Sequence, residues 1–573
     1  MERLTFDVII VGAGPAGLAT ACHLRTLGEV QGRPLSICVL EKAARIGGHL
    51  LSGALLDPAI LTALIPDGQA PAGTRPHGAD AAPLDSPVLE ESLRLLTRRH
   101  AHPLPIPTPW RHDAGGPTGA PWRMLSLGNL CRWLAQRAAQ QGVELFPGFA
   151  ATAPIWEGER LVGVVSGALG LDRNGRPKAG FQPGVQLLAP ITILAEGCRG
   201  SLSGQIIRRL GLTQRTMPGT DAIANPTPLP QRYALGLKEL WQTPGSQAGR
   251  VLHTVGWPLE GAWRQMAHGG GFLYQPKPGR TALGMVIDLD YQNPLFDPFV
   301  ALQQWKQHPL IHAALQGGRL LGYGARTLSI GGWQSLPQLA FAGGLLVGDS
   351  AGLLNTATFQ GIGNALASGM RAAETTWAAW DSQEFSARFL HRYSQAVRHS
   401  PWGQALHQAR NVRPGFRAGL WLGLGNALWE ATVRGRSPWT LGWRQSDRQR
   451  LLPVTPDLSR PPLPLPPAEH PTLDRTTALS CSGLHHDEDQ PLHVLLQDPE
   501  APLRAEGQRF AHPELRYCPA GVFEWRQRAG GKIFLHMHAN HCLHCKCCDI
   551  KDPLDNMRWT PPQGGSGPDY QEM

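Results

Sequence analysis

The strongest constraint on the fold lies near the amino-terminal end, where an apolar run, a glycine-rich turn and a second apolar run follow in order. Asp7–Val11 reads as a strand, Leu18–Leu27 as a helix and Leu35–Leu40 as a second strand. Between the first two, Gly12-Ala13-Gly14-Pro15-Ala16-Gly17 fits G-x-G-x-x-G. In that pattern Gly12 permits the tight turn, Gly14 lets backbone approach a pyrophosphate, and Gly17 lets the helix pack on the strand. The helix N-terminus offers unpaired N–H groups and the positive end of its dipole to phosphate oxygens. Glu41 follows the second strand, 24 residues after Gly17, where a carboxylate accepts hydrogen bonds from ribose hydroxyls. The glycines alone would be a weak signal. With strand, helix and acid in place, they predict a Rossmann-like dinucleotide domain.

The nucleotide is narrowed by a later segment, the apolar Leu345–Val347 followed by Gly348-Asp349 and a helix predicted over Gly363–Trp380. Taken alone, an aspartate cap after a strand is the simpler reading. Paired with the first motif, Asp349 fits the ribityl–pyrophosphate contact of an FAD-binding fold. No second G-x-G-x-x-G of comparable quality occurs, so an NAD(P)H domain is not expected and the reductant arrives by another route.

Five of the ten cysteines, Cys518, Cys542, Cys545, Cys547 and Cys548, crowd the last tenth of the chain. No secretory signal precedes the first strand, so they read as thiols or metal ligands before disulfides. Cys542 to Cys548 contains C-x2-C-x2-C, with Cys518-Pro519 upstream. Three thiolates at this spacing can each reach a different iron of a cubane, and a distant Cys-Pro supplies the fourth. A zinc site more often pairs two separated C-x2-C units, although His536, His538, His541 and His544 keep zinc open. A redox disulfide leaves the third and fourth cysteines unexplained. Cys547 is read as an ordinary thiol.

Elsewhere the pattern is coarser. Pro66–Pro87 reads as loop, Leu127–Gln141 as helix, and Leu161–Val165 and Ile191–Leu194 as strands. The stretch 205–320, rich in Trp, Gly and Pro, reads as sheet with long connections. Pro461, Pro462, Pro464, Pro466 and Pro467 suggest a stiff linker. A net charge of +9 without a Lys/Arg block or recognition motif gives no reason to expect nucleic acid. No run reaches the roughly 18–20 apolar residues that span a bilayer. Ala418–Trp429, with Trp421, Trp429, Trp439 and Trp443 beside Arg434, Arg436 and Arg444, is either a surface-lying membrane segment or an ordinary buried helix.

Taken together, Cys518-Pro519-Ala520-Gly521-Val522-Phe523-Glu524 and Asn540 to Pro553 resemble the C-terminal domain of electron-transfer flavoprotein:ubiquinone oxidoreductases. Ala195-Glu196-Gly197-Cys198-Arg199-Gly200, Gly236 to Trp241, His253-Thr254-Val255-Gly256-Trp257-Pro258-Leu259, Asp290 to Pro294, Tyr323 to Arg326 and Asn411 to Pro414 extend the resemblance, as do Leu51 to Ala54 and the Pro562–Pro568 tail. It implies a Rossmann-like FAD-binding domain (1–205 and 320–400) with an inserted mixed-sheet quinone-binding domain (206–319). A membrane-surface helical segment (401–450), a Pro-rich linker (451–471) and a ferredoxin-like [4Fe-4S] domain (472–573) follow. It further implies Cys518, Cys542, Cys545 and Cys548 as cluster ligands, and backbone at Gly269 and Gly270 against the quinone head group. The donor would be reduced electron-transfer flavoprotein and the acceptor ubiquinone. The protein would lie peripherally on one leaflet, on the cytoplasmic face of a bacterial inner membrane. Three departures stand out: Thr356–Asn364 replaces the family's basic loop, His268 stands at an aromatic position, and Gly348-Asp349 replaces Gly-Cys. A related flavin reductase acting on a carbon double bond, a ferredoxin-like carrier and an NAD(P)H-quinone reductase are the competing readings.

Overall fold

A computed structural model describes residues 1–51, 55–65, 82–107, 110–113, 121–213, 229–259, 267–456, 464, 471–504, 508–528 and 530–573. Most of the loop expected over 66–87, the Ser52–Ala54 part of one motif, and most of the proline linker expected over 451–471 lie outside these residues.

The first sheet is Rossmann-like. Parallel strands run in the order Glu144–Pro147, Ile37–Glu41, Val8–Val11, Ile191–Leu194 and Gly344–Leu346, with Ala340–Phe341 antiparallel at the edge. Val8–Val11 and Ile191–Leu194 are buried throughout, as expected for strands covered on both faces. The helix Pro15–Val30 begins directly after the glycine turn, with proline where its missing N–H costs nothing. It packs between helices Leu127–Gln140 and Ile362–Ser382. Close approach to the latter depends on Gly369, where any Cβ would collide with Ala16 O. The connections leave in opposite directions on either side of Val8–Val11, which opens a crevice at the carboxyl ends of the strands.

The second sheet orders seven strands: Arg319–Ser329, Tyr233–Gln242, Arg280–Asp288, Gly269–Lys277, Arg250–Gly256, Glu90–Leu96 and Ala101–Leu104. This corrects the expected division in two places. Arg319–Ser329 starts at the boundary drawn at 319/320, yet it pairs with Tyr233–Gln242 from one end to the other. Glu90–Leu96, assigned to the flavin unit, pairs in parallel with Arg250–Gly256. An apolar strand edge left open would be a site for stray pairing, and these strands extend and cover it.

The C-terminal segment is not a tethered module. One buried cluster joins Leu235, Phe299 and Tyr323 of the second sheet and its helix to Tyr517, Leu543 and Ile550. Tyr323 donates to Pro519 O at 3.0 Å and Thr327 to Cys545 O at 2.7 Å, so the sheet directly holds the cysteine loops.

Helix Leu420–Thr432 buries Gly423, Ala427 and Glu430 and turns the opposite face outward. Trp421, Leu422, Leu428 and Trp429 on that face are 69%, 67%, 63% and 51% exposed. The buried-helix alternative is therefore wrong for this segment. Glu430 anchors it, accepting from Asn411 Nδ2 at 3.0 Å and from the Ser437 hydroxyl at 2.7 Å. Trp443, expected beside the other tryptophans, is instead buried under the Arg232 guanidinium at 5.0 Å.

Candidate redox site

At the crevice the three loop glycines separate by role. A Cβ on Gly12, whose φ is +109°, would collide with Ala195 O, and one on Gly17 would collide with Gly12 O. A Cβ on Gly14 would meet nothing within 4 Å. Gly12 and Gly17 are thus demanded by the protein itself, whereas Gly14 caps the helix N-terminus facing open space, where a phosphate can approach. Glu41 braces this turn: its carboxylate accepts from Ala13 N at 3.1 Å and Ala43 N at 2.9 Å. A carboxylate has about four lone-pair sites, so capacity remains for a ribose hydroxyl.

Asp349 sits in the short turn Gly348–Ser350, fixed by Gly348 N donating to Ser368 Oγ at 2.9 Å. One carboxylate oxygen receives Ser329 N at 3.5 Å; the other, Oδ1, is buried and has no partner among the described residues. Burial pushes this carboxyl up to about 6. An orphaned buried oxygen is costly, and the hydroxyl-bearing chain of FAD would supply the donor it lacks. The residues fit the group.

Cys518, Cys542, Cys545 and Cys548 are all buried and line one small apolar cavity with Ala520, Val522, Phe523 and Leu543. Cys547 reaches the same cavity, a placement not foreseen for an ordinary thiol. Left-handed backbone at His544 (φ 56°) and Lys546 (φ 64°) folds the C-x2-C-x2-C run back on itself. Burial raises every one of these thiols, Cys542 to about 12, and repulsion from neighbouring cysteines adds to it at Cys542, Cys545 and Cys548. Four thiolates packed in a dry cage are strongly disfavoured unless cations take up their charge. A cubane of four irons matches that donor set. Of the histidines suggested for zinc, His544 alone joins a group of three donors close enough to share an ion among the described residues, His493–Cys542–His544; His538 instead pairs with Glu524 at 2.7 Å.

The flavin crevice and the cysteine cage share a wall. Lys42, directly after Glu41, places Nζ 2.6 Å from His49 Nδ1 and 3.2 Å from His544 Nδ1. Arg199 pairs with Asp549 at 2.7 Å, and Lys546 donates to Arg199 O at 2.7 Å. Burial lowers Lys42 to about 7. Neither Lys42 nor His49 was singled out from sequence, since only the folded contact gives them meaning.

On the second sheet, Gly269 and Gly270 open the strand Gly269–Lys277. A Cβ on Gly270 would stand 2.6 Å from Thr254 O, and one on Gly269 would collide with Val286 O, so bare backbone is required at both. His268 O accepts Asp288 N at 2.8 Å, and Asp288 pairs with Arg413, three residues before the turn that opens the exposed helix. This edge is thereby tied to the apolar surface patch.

Comparison with known proteins matches these parts. The family model for the electron transfer flavoprotein-ubiquinone oxidoreductase 4Fe-4S domain matches residues 470–571, and the ETF-QO ubiquinone-binding model matches 233–328. A model for the NAD(P)-binding Rossmann-like domain matches 10–63. The chain is 38% identical to the mitochondrial electron transfer flavoprotein-ubiquinone oxidoreductase of Arabidopsis thaliana, covering all of this chain and 85% of the relative. The human protein of that name is also 38% identical, with 100% and 90% covered. A geranylgeranyl bacteriochlorophyll reductase-like protein from Thermoplasma acidophilum shares the fold over 76% of this chain and 93% of that one, with TM-score 0.51 at 17% identity. The chain belongs to the electron transfer flavoprotein-ubiquinone oxidoreductase family.

Proposed function

We infer that this protein oxidises reduced electron-transfer flavoprotein and reduces ubiquinone, using FAD and a [4Fe-4S] cluster. The observation that carries the reading is the shared wall between a dinucleotide crevice and a four-thiol cage, both joined to a sheet whose glycine edge leads to an exposed apolar helix. When bound, FAD holds one or two electrons and the cluster exchanges one, which suits a quinone that needs two electrons and two protons.

The chain's own residues position and tune these groups. We assign Gly12, Gly14, Gly17, Glu41 and Asp349 to FAD, Cys518, Cys542, Cys545 and Cys548 to the cluster, and Gly269 and Gly270 to the quinone head group. The unit boundaries that follow place the FAD unit at 1–205 and 330–400 without 90–104. The quinone unit is 233–329 together with 90–104, and the cluster unit is 472–573. A double-bond reductase or a bare electron carrier has no use for a cysteine cage built into the core of a quinone-type sheet.

No helix among the described residues is long and apolar enough to cross a membrane. The exposed face of Leu420–Thr432 instead suits one leaflet, with Arg417 and Arg434 at its ends facing phosphate. We place it on the cytoplasmic face of a bacterial inner membrane, whereas the plant and human relatives named above are mitochondrial proteins. Replacing both Trp421 and Trp429 with glutamate should lower partitioning onto anionic lipid vesicles at least tenfold, since burying one such ring contributes about 1.5–3 kcal/mol. Reduction of a short-chain soluble quinone should persist. Co-sedimentation with vesicles beside that assay checks both.

The direct test of function is anaerobic mixing of the holoprotein with reduced electron-transfer flavoprotein and a ubiquinone analogue. Quinol should form, with flavin bleaching in the absence of quinone. Reduction by NADH instead, or no electron uptake from the flavoprotein, would sink the assignment.

A further inference from the structure

Three ionisable side chains from separate stretches meet between the flavin-side loop and the quinone sheet. Glu91 lies on Glu90–Leu96 and His253 on Arg250–Gly256, diagonal neighbours because Val251 pairs with Glu91 and His253 with Leu93. His112 comes from the connection that follows. Glu91 Oε1 is 2.8 Å from His112 Nδ1 and 3.3 Å from His253 Nε2, while Oε2 accepts His112 N–H at 2.7 Å. Glu91, His112 and His253 expose only 1%, 2% and 10% of their side chains.

Donor and acceptor accounting shows what this cluster stores. His112 Nε2 lies 3.1 Å from Thr358 O, a carbonyl that can only accept, so Nε2 carries a hydrogen. Nδ1 faces the carboxylate. The pair is therefore either an imidazolium against a carboxylate or a neutral ring against a carboxylic acid, and both states hold one transferable proton. His253 Nε2 is buried and makes no full hydrogen bond among the described residues. The His253 ring stacks on Phe359 at 5.0 Å and 11°, and Phe359, 55% exposed, belongs to the atypical loop Thr356–Asn364. The next residue, Thr254, presents the carbonyl that closes over Gly270.

We propose that Glu91, His112 and His253 form the proton route for quinone reduction, with His253 delivering toward the space between the Thr356–Asn364 loop and Gly269-Gly270. This rests on the function inferred above. Turning a quinone into its quinol converts each C=O to C–OH. The two electrons come from the bound redox groups, and one proton from solvent goes to each oxygen. Entry is from the side of Arg111, which is exposed and pairs with Asp113 at 2.9 Å. Burial pushes the Glu91 carboxyl up, but the hydrogen bonds and charge of His112, with the His253 ring close beside it, outweigh burial and hold the group well below its usual range. Among the described residues, the other titratable or charged groups facing the cluster are Asp113, which accepts Glu91 N–H at 3.3 Å, its partner Arg111, and Tyr274, whose phenol burial raises far above its ordinary value.

The test compares two oxidants of the fully reduced holoprotein in anaerobic stopped flow from pH 6 to 9. One is a short-chain ubiquinone, which must bind protons; the other is ferricenium, a one-electron acceptor that binds none. Wild type must reduce the quinone for the underlying function to stand, whatever the variants do. His253→Asn is expected to slow reoxidation by quinone about a hundredfold, flatten its pH profile and leave ferricenium oxidation unchanged. Glu91→Gln serves as a second variant should His253→Asn fail to fold, with the same pattern expected. Equal slowing with both oxidants, or quinone rates and pH profile like wild type, would overturn the proton route while leaving the overall reaction intact.

Discussion

Replacing Cys545 with alanine is expected to strip the protein of iron and acid-labile sulfide while FAD stays bound, and to abolish electron transfer from electron-transfer flavoprotein to quinone. The expectation rests on where the thiol sits. Cys545 is buried, its backbone carbonyl is held by the Thr327 hydroxyl at 2.7 Å, and its side chain faces the other cysteines in a cavity with apolar walls. The adjacent side chain, Lys546, is committed to Arg199 O, and Cys547, which also lines the cavity, lies outside the C-x2-C-x2-C spacing. Flavin retention follows because the glycine turn and Asp349 pack against Ala195, Ser329 and Ser368, and Glu41 bonds Ala13 and Ala43, none of them in the cysteine loops.

Cys547 supplies the control. It lines the same cavity and is fully buried, so geometry alone does not separate it from the four proposed ligands. The spacing does, since Cys542, Cys545 and Cys548 are the set that satisfies C-x2-C-x2-C. Cys547→Ser should therefore keep about four irons per chain, the complement of one cubane. Metal analysis beside the visible spectrum reads both variants. Iron retained in Cys545→Ala, or lost equally in Cys547→Ser, would redraw the ligand set.

How much of this was legible in the sequence depends on how local each signal is. The strand–turn–helix at the start was readable because one glycine-spaced turn fixes it; the observed Val8–Val11, Pro15–Val30 and Ile37–Glu41 fall within a few residues of expectation. The C-x2-C-x2-C run was likewise local. The second sheet was not: Glu90–Leu96 and Arg319–Ser329 carry ordinary strand patterns, and nothing in either names its distant partner. Glu91, His112 and His253 lie in three separate stretches, so no spacing could join them. The exposure of the Leu420–Thr432 face was half visible, since its apolar composition fits burial and a membrane equally; only packing of Gly423 and Ala427 inward settles which face turns out.

Gly17→Val is expected to give protein without flavin and with a weakened first sheet, whereas Gly14→Ala should fold normally and bind FAD less tightly. The two substitutions separate what the fold requires from what the ligand requires. At Gly17 the new Cβ would run into Gly12 O, with Ile10 Cγ2 at 3.1 Å and Ala195 Cβ at 3.2 Å behind it. The colliding atom is backbone, which cannot rotate away, so the helix Pro15–Val30 must lift from Val8–Val11. That helix also packs against Ile362–Ser382 through Thr20, whose hydroxyl donates to Gly369 O at 3.1 Å, and the displacement spreads to both walls of the crevice. Overpacking of this kind costs about 1–3 kcal/mol before any ligand is considered. At Gly14 nothing lies within 4 Å of the new methyl, so the protein pays no steric penalty, and the group projects where phosphate oxygens approach the helix N-terminus. Flavin-to-protein ratio after purification, with thermal unfolding of the flavin-free protein, distinguishes the two. Equal stability loss in both variants would mean that Gly14 is needed for packing, and full flavin in Gly14→Ala would remove the pyrophosphate from this turn.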